Sequence, residues 1–213
     1  MSGDAARRAP SAWRGATRLI LASRSKTRAA LLSSYGIEPE LMPADVAERT
    51  IEAEEAARGA LPAAVARRLA AAKAQAVSVR SPGRLVLGAD QVLAFEDRCW
   101  AKAADLAEAA ARLGRLSGQS HRLISACALA RDGALVYEAV ETAELAMRAL
   151  SKTDIETYLG LAGEGVLTSV GAYQIEGVGR LLFERVEADH AVILGLPVSG
   201  LLSHLRRQGL LAF

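Results

Sequence analysis

Arg18-Leu19-Ile20-Leu21-Ala22-Ser23-Arg24-Ser25-Lys26-Thr27-Arg28 sets the architecture of the chain. Residues 18–22 are mostly apolar and read as a short buried strand. The serine-rich run after them breaks the strand. Ala29, Ala30, Leu31 and Leu32 then read as a helix, which Gly36 ends. A strand, a polar turn and a helix start together form an anion site. The first N–H groups of the helix have no internal partner, and its dipole favours negative charge at that end.

Outward from this stretch, Leu85-Val86-Leu87 leads into Gly88-Ala89-Asp90-Gln91 and then Val92-Leu93-Ala94-Phe95. It reads as a buried strand, interrupted by a small-residue kink that presents Asp90. Residues 39–42 are weakly strand-like, and 45–59 read as an acidic loop with a helix turn. Residues 61–79 have apolar positions at helical spacing, with Lys73 among them. Ser81-Pro82-Gly83 is a turn, and 103–116 a helix. Residues 122–131 and 135–147 flank Asp132-Gly133, a hairpin signal. Ser151 caps a helix to about residue 161. Residues 163–179 are glycine-rich and irregular, and 181–186 read as a strand. Residues 197–207 form a closing helix with Pro197 in its first turn. Strands alternate with helices but a hairpin is present, so the expected class is a mixed α/β (α+β) sheet. Residues 1–16 carry three arginines and no apolar segment. They read as a loose extension, not a secretory signal, leaving 17–213 as a single domain.

The formal net charge of +2 is too small to mark a nucleic-acid binder, although a local cationic cluster would serve a polyanionic small molecule. Cys99 and Cys127 cannot make a disulfide framework, and no Cys/His spacing suits zinc. No run approaches the ~18 apolar residues of a membrane span. A cytoplasmic protein without membrane or nucleic-acid partners is expected.

Several residues could carry chemistry. Asp90 follows an apolar strand and small neighbours that let a substrate come close. A carboxylate there can bind a metal or take a proton from water; the plainer reading is a turn aspartate. Ser23, Ser25 and Arg28 suit phosphate oxygens, unless Ser25 is only a helix cap and Arg28 is solvated. Lys73 and Lys102 stand in apolar or alanine-rich surroundings and could neutralise phosphate. Glu48 is one acid in an acidic stretch. In the loop 171–177, two glycines bracket Tyr173 and Glu176, which could lie near a base, since a carboxylate accepts from a guanine edge. His121, His190 and His204 read as structural or surface residues. Neither Gly-x-Ser-x-Gly nor Gly-x-x-x-x-Gly-Lys-Ser/Thr occurs.

In this order, residues 21–28, Gly88-Ala89-Asp90-Gln91-Val92, Leu116-Ser117-Gly118, 171–177 and Gly195-Leu196-Pro197 resemble the Maf family of nucleotide pyrophosphatases. The resemblance runs from about residue 18 to 207. It implies a long mixed sheet with flanking helices and a central cleft between two lobes, similar to inosine triphosphate pyrophosphatases. It also implies cleavage between the α- and β-phosphates of a nucleoside triphosphate, a divalent ion (magnesium or manganese), and often a homodimer. By that resemblance Asp90 would be the proton acceptor, and Glu48 and Asp90 would hold the metal. Arg28, Lys73 and Lys102 would grip the triphosphate, aided by Ser23 and Ser25. Thr27, Gln91 and Glu176 occupy positions that sort substrates. Gln91 and Glu176 match the branch resembling 7-methyl-GTP pyrophosphatase; Thr27 matches neither branch, standing where that one has tryptophan. Lys26-Thr27 also departs from the usual Ser-Pro-Arg/Trp-Arg block, and Lys102 sits in Ala-Lys-Ala where Gly-Lys-Pro is usual. A modified or guanine nucleotide is the expected substrate. The alternatives are a dTTP/UTP pyrophosphatase, a nucleotide-binding regulator of cell division with little catalysis, and a broader triphosphatase of the inosine triphosphate type.

Overall fold

The structure is a computed structural model that describes residues 11–213. Seven strands form one sheet: β1 (Ile20–Leu21), β2 (Glu40–Leu41), β3 (Val86–Phe95), β4 (Arg98–Trp100), β5 (Ser120–Arg131), β6 (Ala134–Met147) and β7 (Phe183–Glu187). The strand order is β2-β1-β3-β5-β6-β7, with β4 attached to β3. β1 pairs in parallel with β2 and β3, and the remaining pairs are antiparallel. The mixed sheet expected from the sequence is therefore present. Its helices are α1 (Lys26–Ser34), α2 (Glu48–Ala57), α3 (Pro62–Ser78), α4 (Leu106–Leu116), α5 (Lys152–Ala162), α6 (His190–Ile193) and α7 (Val198–Arg207).

Side chains alternate across β3 and β5, and each face finds its own cover. On one face Val92, Ala94, Ile124, Ala126, Ala128 and Ala130 bury against the alanine-rich side of α3. On the other face Leu87, Ala89, Cys127 and Leu129 pack with residues of α1, α6 and α7. Farther along that same face, Leu93, Leu123, Ala143 and Leu145 pack beneath α4 and α5. The polar row Gln91–Ser125–Glu141, aligned by strand register, divides these two apolar groups.

Three expectations change. Residues 45–59 hold a ten-residue helix, α2, where a loop with a single helix turn was expected. None of its residues is buried, so no apolar stripe announced it; its glutamates and alanines favour the helix by propensity. β3 runs unbroken through Gly88-Ala89-Asp90, with no kink. Gly88 instead allows close approach: a Cβ there would lie 2.2 Å from the Ala70 carbonyl oxygen and 2.5 Å from the Ala74 nitrogen of α3. A second hairpin joins β3 to β4 through Glu96 and Asp97, both at positive φ. Turns of this kind favour Asn-Gly, so Glu-Asp gave little signal. By contrast, Asp132-Gly133 makes the expected hairpin, also at positive φ.

Residues 1–10 of the expected extension lie outside the described residues. Residues 11–16 are tied to the domain: Trp13 bridges Leu211 and its Nε1 donates to the Thr17 carbonyl at 2.7 Å. Among the described residues no helix is long and apolar enough to cross a membrane.

Candidate active site

The site begins where β3 loses its neighbours on one edge. β1 pairs with β3 only as far as Leu87. β4 pairs with the same edge only from Leu93. Between them Gly88–Val92 has no strand beside it on that edge. Ala22 N–H still reaches the Leu87 carbonyl at 2.8 Å before the chain turns into α1. Crevices at the carboxyl ends of parallel strands, where connections diverge, are ligand sites in open α/β sheets.

Ser23, Ser25 and Arg28 come together on one side of this gap. Ser25 is the N-cap of α1, its hydroxyl accepting from Arg28 N–H at 3.2 Å. Arg28 is not solvated. Its Nη1 donates to Ser23 Oγ at 3.2 Å and to the Ala89 carbonyl at 3.0 Å, and its Nε donates to the Gly195 carbonyl at 2.7 Å. These bonds leave Nη2 without an acceptor among the described residues, free for an anionic oxygen. Burial lowers the guanidinium pKa, opposed by the nearby carboxylates of Asp90 and Glu48.

Lys73, Asp90 and Glu48 come together on the α3 face. Lys73 Nζ donates to Asp90 Oδ1 at 2.5 Å and lies 3.0 Å from Glu48 Oε1. Asp90 is 7% exposed and Lys73 8%, whereas the Glu48 side chain is 49% exposed. A buried charge is tolerated only when paired, and Lys73 and Asp90 supply that partner for each other. The turn-aspartate reading fails, since Asp90 sits inside a strand.

Gln91, the next residue, faces the opposite side of the sheet. Its Nε2 lies 3.0 Å from Ser125 Oγ and from the Val192 and Ile193 carbonyls. Those two carbonyls can only accept, which fixes the amide orientation. Both amide hydrogens are engaged, so Gln91 offers only its side-chain oxygen to a ligand. Glu176 is exposed, and its Oε1 is 3.9 Å from Nε2 of His190, the first residue of α6. α6 and its exit loop thus gather Arg28, Gln91 and Glu176.

The remaining expected residues are less engaged. Thr27 is exposed in the first turn of α1, with no side-chain bond among the described residues. Lys102 is exposed in the loop that leaves β4 and makes no ion pair among the described residues. Its position, two residues after the last β3–β4 pair, puts it at the far border of the gap. Tyr173 does not face a ligand: it is buried, 2.6 Å from His121 Nε2.

Two nearby residues were not among the expected site residues. Glu52 lies one turn after Glu48 on α2, on the same helix face. Burial raises its pKa, and the charges of Asp90 and Glu48 raise it further against Lys73 and Arg49. The i, i+4 spacing would have shown it had the helix been recognised. Cys99 sits opposite Ala94 and so points to the Asp90 face. Burial, Glu52 and Asp90 all raise its pKa, so this exposed thiol stays protonated. Burial pushes the other thiol, Cys127, up to about 12.

Residues 18–208 match the family described as Maf-like protein. The chain belongs to the Maf family. A Maf relative named nucleoside triphosphate pyrophosphatase, from Rhodopseudomonas palustris (strain BisB18), is 49% identical over 94% of this chain and 98% of its own length. One named 7-methyl-GTP pyrophosphatase, from Rhizobium etli, is 48% identical over 90% of this chain and 96% of its own length. Another with that name, from Brucella abortus, is 44% identical over the same shares. A nucleoside-triphosphatase structure from Mycobacterium abscessus covers 62% of this chain and 73% of its own, at 20% identity and a TM-score of 0.38.

Proposed function

We propose that this chain hydrolyses a guanine nucleoside triphosphate, or a modified one such as 7-methyl-GTP, to the monophosphate and pyrophosphate. Nucleoside triphosphate pyrophosphatase activity is the name its Maf relatives carry. The observation that carries the reading is the pairing of Lys73 with Asp90 at 2.5 Å on the open edge of β3, with Arg28 bonded to the adjacent carbonyl.

The triphosphate enters the gap beside α1. The free N–H groups at the start of α1, the free Nη2 of Arg28 and the Lys73 ammonium neutralise phosphate oxygens. Lys102, at the opposite border, closes on the outer phosphates. Asp90 accepts a proton from water as that water adds to the α-phosphorus. Pyrophosphate leaves as the bond between the α-phosphorus and its bridging oxygen breaks. Charge grows on the phosphoryl oxygens during this step, so fixed cations lower the barrier.

A divalent ion fits the donor set. Glu48 and Asp90 supply hard carboxylate oxygens, which suit magnesium or manganese. Among the described residues no group of three or more His, Cys, Asp or Glu could hold a metal. Two carboxylates combined with substrate phosphates are the usual arrangement for magnesium. When bound, such an ion would neutralise phosphate charge, and Lys73 would move its contacts toward the substrate.

The choice of base follows from acceptors. The Gln91 side-chain oxygen and the Glu176 carboxylate both accept and neither donates. Guanine presents ring N–H and amino donors to such a pair, whereas thymine and uracil place carbonyl oxygens against it. A pyrophosphate-release screen over standard and 7-methylated triphosphates, with magnesium and with manganese, tests the reading. The expected result is highest kcat/KM for guanine or methylguanine substrates. A preference for dTTP or UTP would refute the base assignment, and no release from any substrate would refute the hydrolase.

A further inference from the structure

We infer that the buried pair His121–Tyr173 positions Glu176 and so helps set which base the site accepts. The inference rests on the base assignment above and adds two positioning residues that touch no substrate.

Tyr173 anchors the loop that carries Glu176. Along this loop Tyr173 and Ile175 are buried, whereas Gln174 and Glu176 are exposed. Ser169 Oγ donates to the Tyr173 carbonyl at 2.6 Å, and Gln174 N–H donates to Tyr158 Oη at 3.2 Å. The Tyr173 ring lies edge-on to Phe183, with centroids 4.8 Å apart. It also packs so closely on its own loop that a Cβ at Gly171 would fall 2.2 Å from it. Ala172, fully buried, takes a φ of 56°. A residue with a side chain keeps that conformation only where its surroundings enforce it. Beyond Glu176, a Cβ at Gly179 would lie 1.7 Å from the Gln174 carbonyl oxygen. Glu176 therefore projects from a loop clamped on both sides, and the depth of Tyr173 sets where its carboxylate stands.

One directed bond fixes that depth. Tyr173 Oη is 2.6 Å from His121 Nε2. The other ring nitrogen, Nδ1, is buried without a hydrogen bond among the described residues. Two apolar side chains would fill this space without orphaning a nitrogen, so stability alone does not account for the pair. What the bond adds is direction: it holds the tyrosine at one depth and rotation, as a buried polar pair specifies a single packing. His121 stands on the same face of β5 as Ser125, four residues on. Ser125 Oγ lies 3.0 Å from Gln91 Nε2 and donates to the Val192 carbonyl at 2.7 Å. One face of one strand thus supports both acceptors assigned to the base, Gln91 through Ser125 and Glu176 through His121 and Tyr173.

The ratio of kcat/KM for GTP over UTP, measured with magnesium on the full chain and its variants, tests this, with urea unfolding alongside. Tyr173→Phe removes only the hydroxyl. It should lower the ratio by about two- to tenfold, the scale of one hydrogen bond, through a higher KM for GTP. In a Glu176→Gln background the same change should lower the ratio no further. Tyr173→Phe also leaves His121 Nε2 unpaired and should ease unfolding. The double variant His121→Phe/Tyr173→Phe leaves no orphan, so it should recover stability while the ratio stays low, an outcome that a purely structural role would not produce. If Tyr173→Phe does not fold, the double variant carries the ratio measurement. A parental ratio in the variants that fold, losses that add to that of Glu176→Gln, or a ratio that recovers along with stability overturns the inference. A ratio unmoved by Glu176→Gln itself would instead sink the base assignment, and this inference with it.

Discussion

Gly88→Ala is the most informative single substitution in this protein, because the residue touches no substrate and yet sets the distance on which the site depends. An added Cβ would stand 2.2 Å from the Ala70 carbonyl oxygen, 2.5 Å from the Ala74 nitrogen and 2.9 Å from the Ala74 Cβ. Two of these are backbone atoms, so no rotamer change relieves the clash. Ordinary contact begins near 3.4 Å, so α3 must withdraw from β3 by about 1 Å. Lys73 rides on α3 and Asp90 on β3, and their bond of 2.5 Å would open past hydrogen-bonding range. Overpacking of this kind costs about 1–3 kcal/mol, and a misplacement of about 1 Å at a reacting centre can cost on the order of 100-fold in rate. Urea unfolding and pyrophosphate release from GTP, with magnesium, read the two effects separately. The double variant Gly88→Ala/Lys73→Ala should be no slower than Lys73→Ala alone, since the glycine acts through the lysine. Ala74→Gly should not rescue, because backbone atoms dominate the clash. Turnover within twofold of the parent, or fully additive losses in the double variant, would refute the reasoning.

Asp90→Asn keeps the shape and a partner for Lys73 but removes the proton acceptor. It should lower kcat by about 10²–10⁴-fold in a chain that still folds, and near-normal turnover would strip Asp90 of its role. Glu176→Gln introduces a donor where the base meets only acceptors, so the ratio of kcat/KM for GTP over UTP should fall; an unmoved ratio would place Glu176 outside base selection. His121 is 3% exposed, and burial lowers its pKa from 6.5 to about 4. Between those values the unfolded chain binds a proton here that the native chain does not. Stability is therefore full above pH 6.5 and falls as pH drops toward 4, by roughly 3 kcal/mol from this group. Urea unfolding at pH 7 and pH 4.5 should show a shallower drop in His121→Phe than in the parent, and equal drops would exclude His121 as the cause.

Much of the fold was legible because its signals are local. Ser25 as the cap of α1, Asp132-Gly133 as a hairpin and Ser151 as the cap of α5 each act within a few residues. The boundaries of α3 and α7 were read within a residue or two, since an apolar stripe marks one face of each. α2 escaped because none of its residues is fully buried, and β4 because its turn uses Glu-Asp. Within the site, the serines and Arg28 could be grouped from the sequence because they share one strand-to-helix turn. The status of Arg28 could not: its partners are residues 89 and 195, brought close only by the sheet and the loop after α6.

The amino-acid sequence by itself determined the mixed α/β class, the strand–turn–helix around Ser23–Arg28 and the residue types able to handle a triphosphate. It did so because periodicity, capping and turn chemistry are short-range. Only the tertiary structure decided which of those residues act together. Asp90 and Gln91 are adjacent in the chain, yet strand alternation sends one to Lys73 on α3 and the other to the carbonyls of α6. Where β1 stops and β4 begins is likewise a matter of packing between distant segments, and that spacing opens β3 over Gly88–Val92.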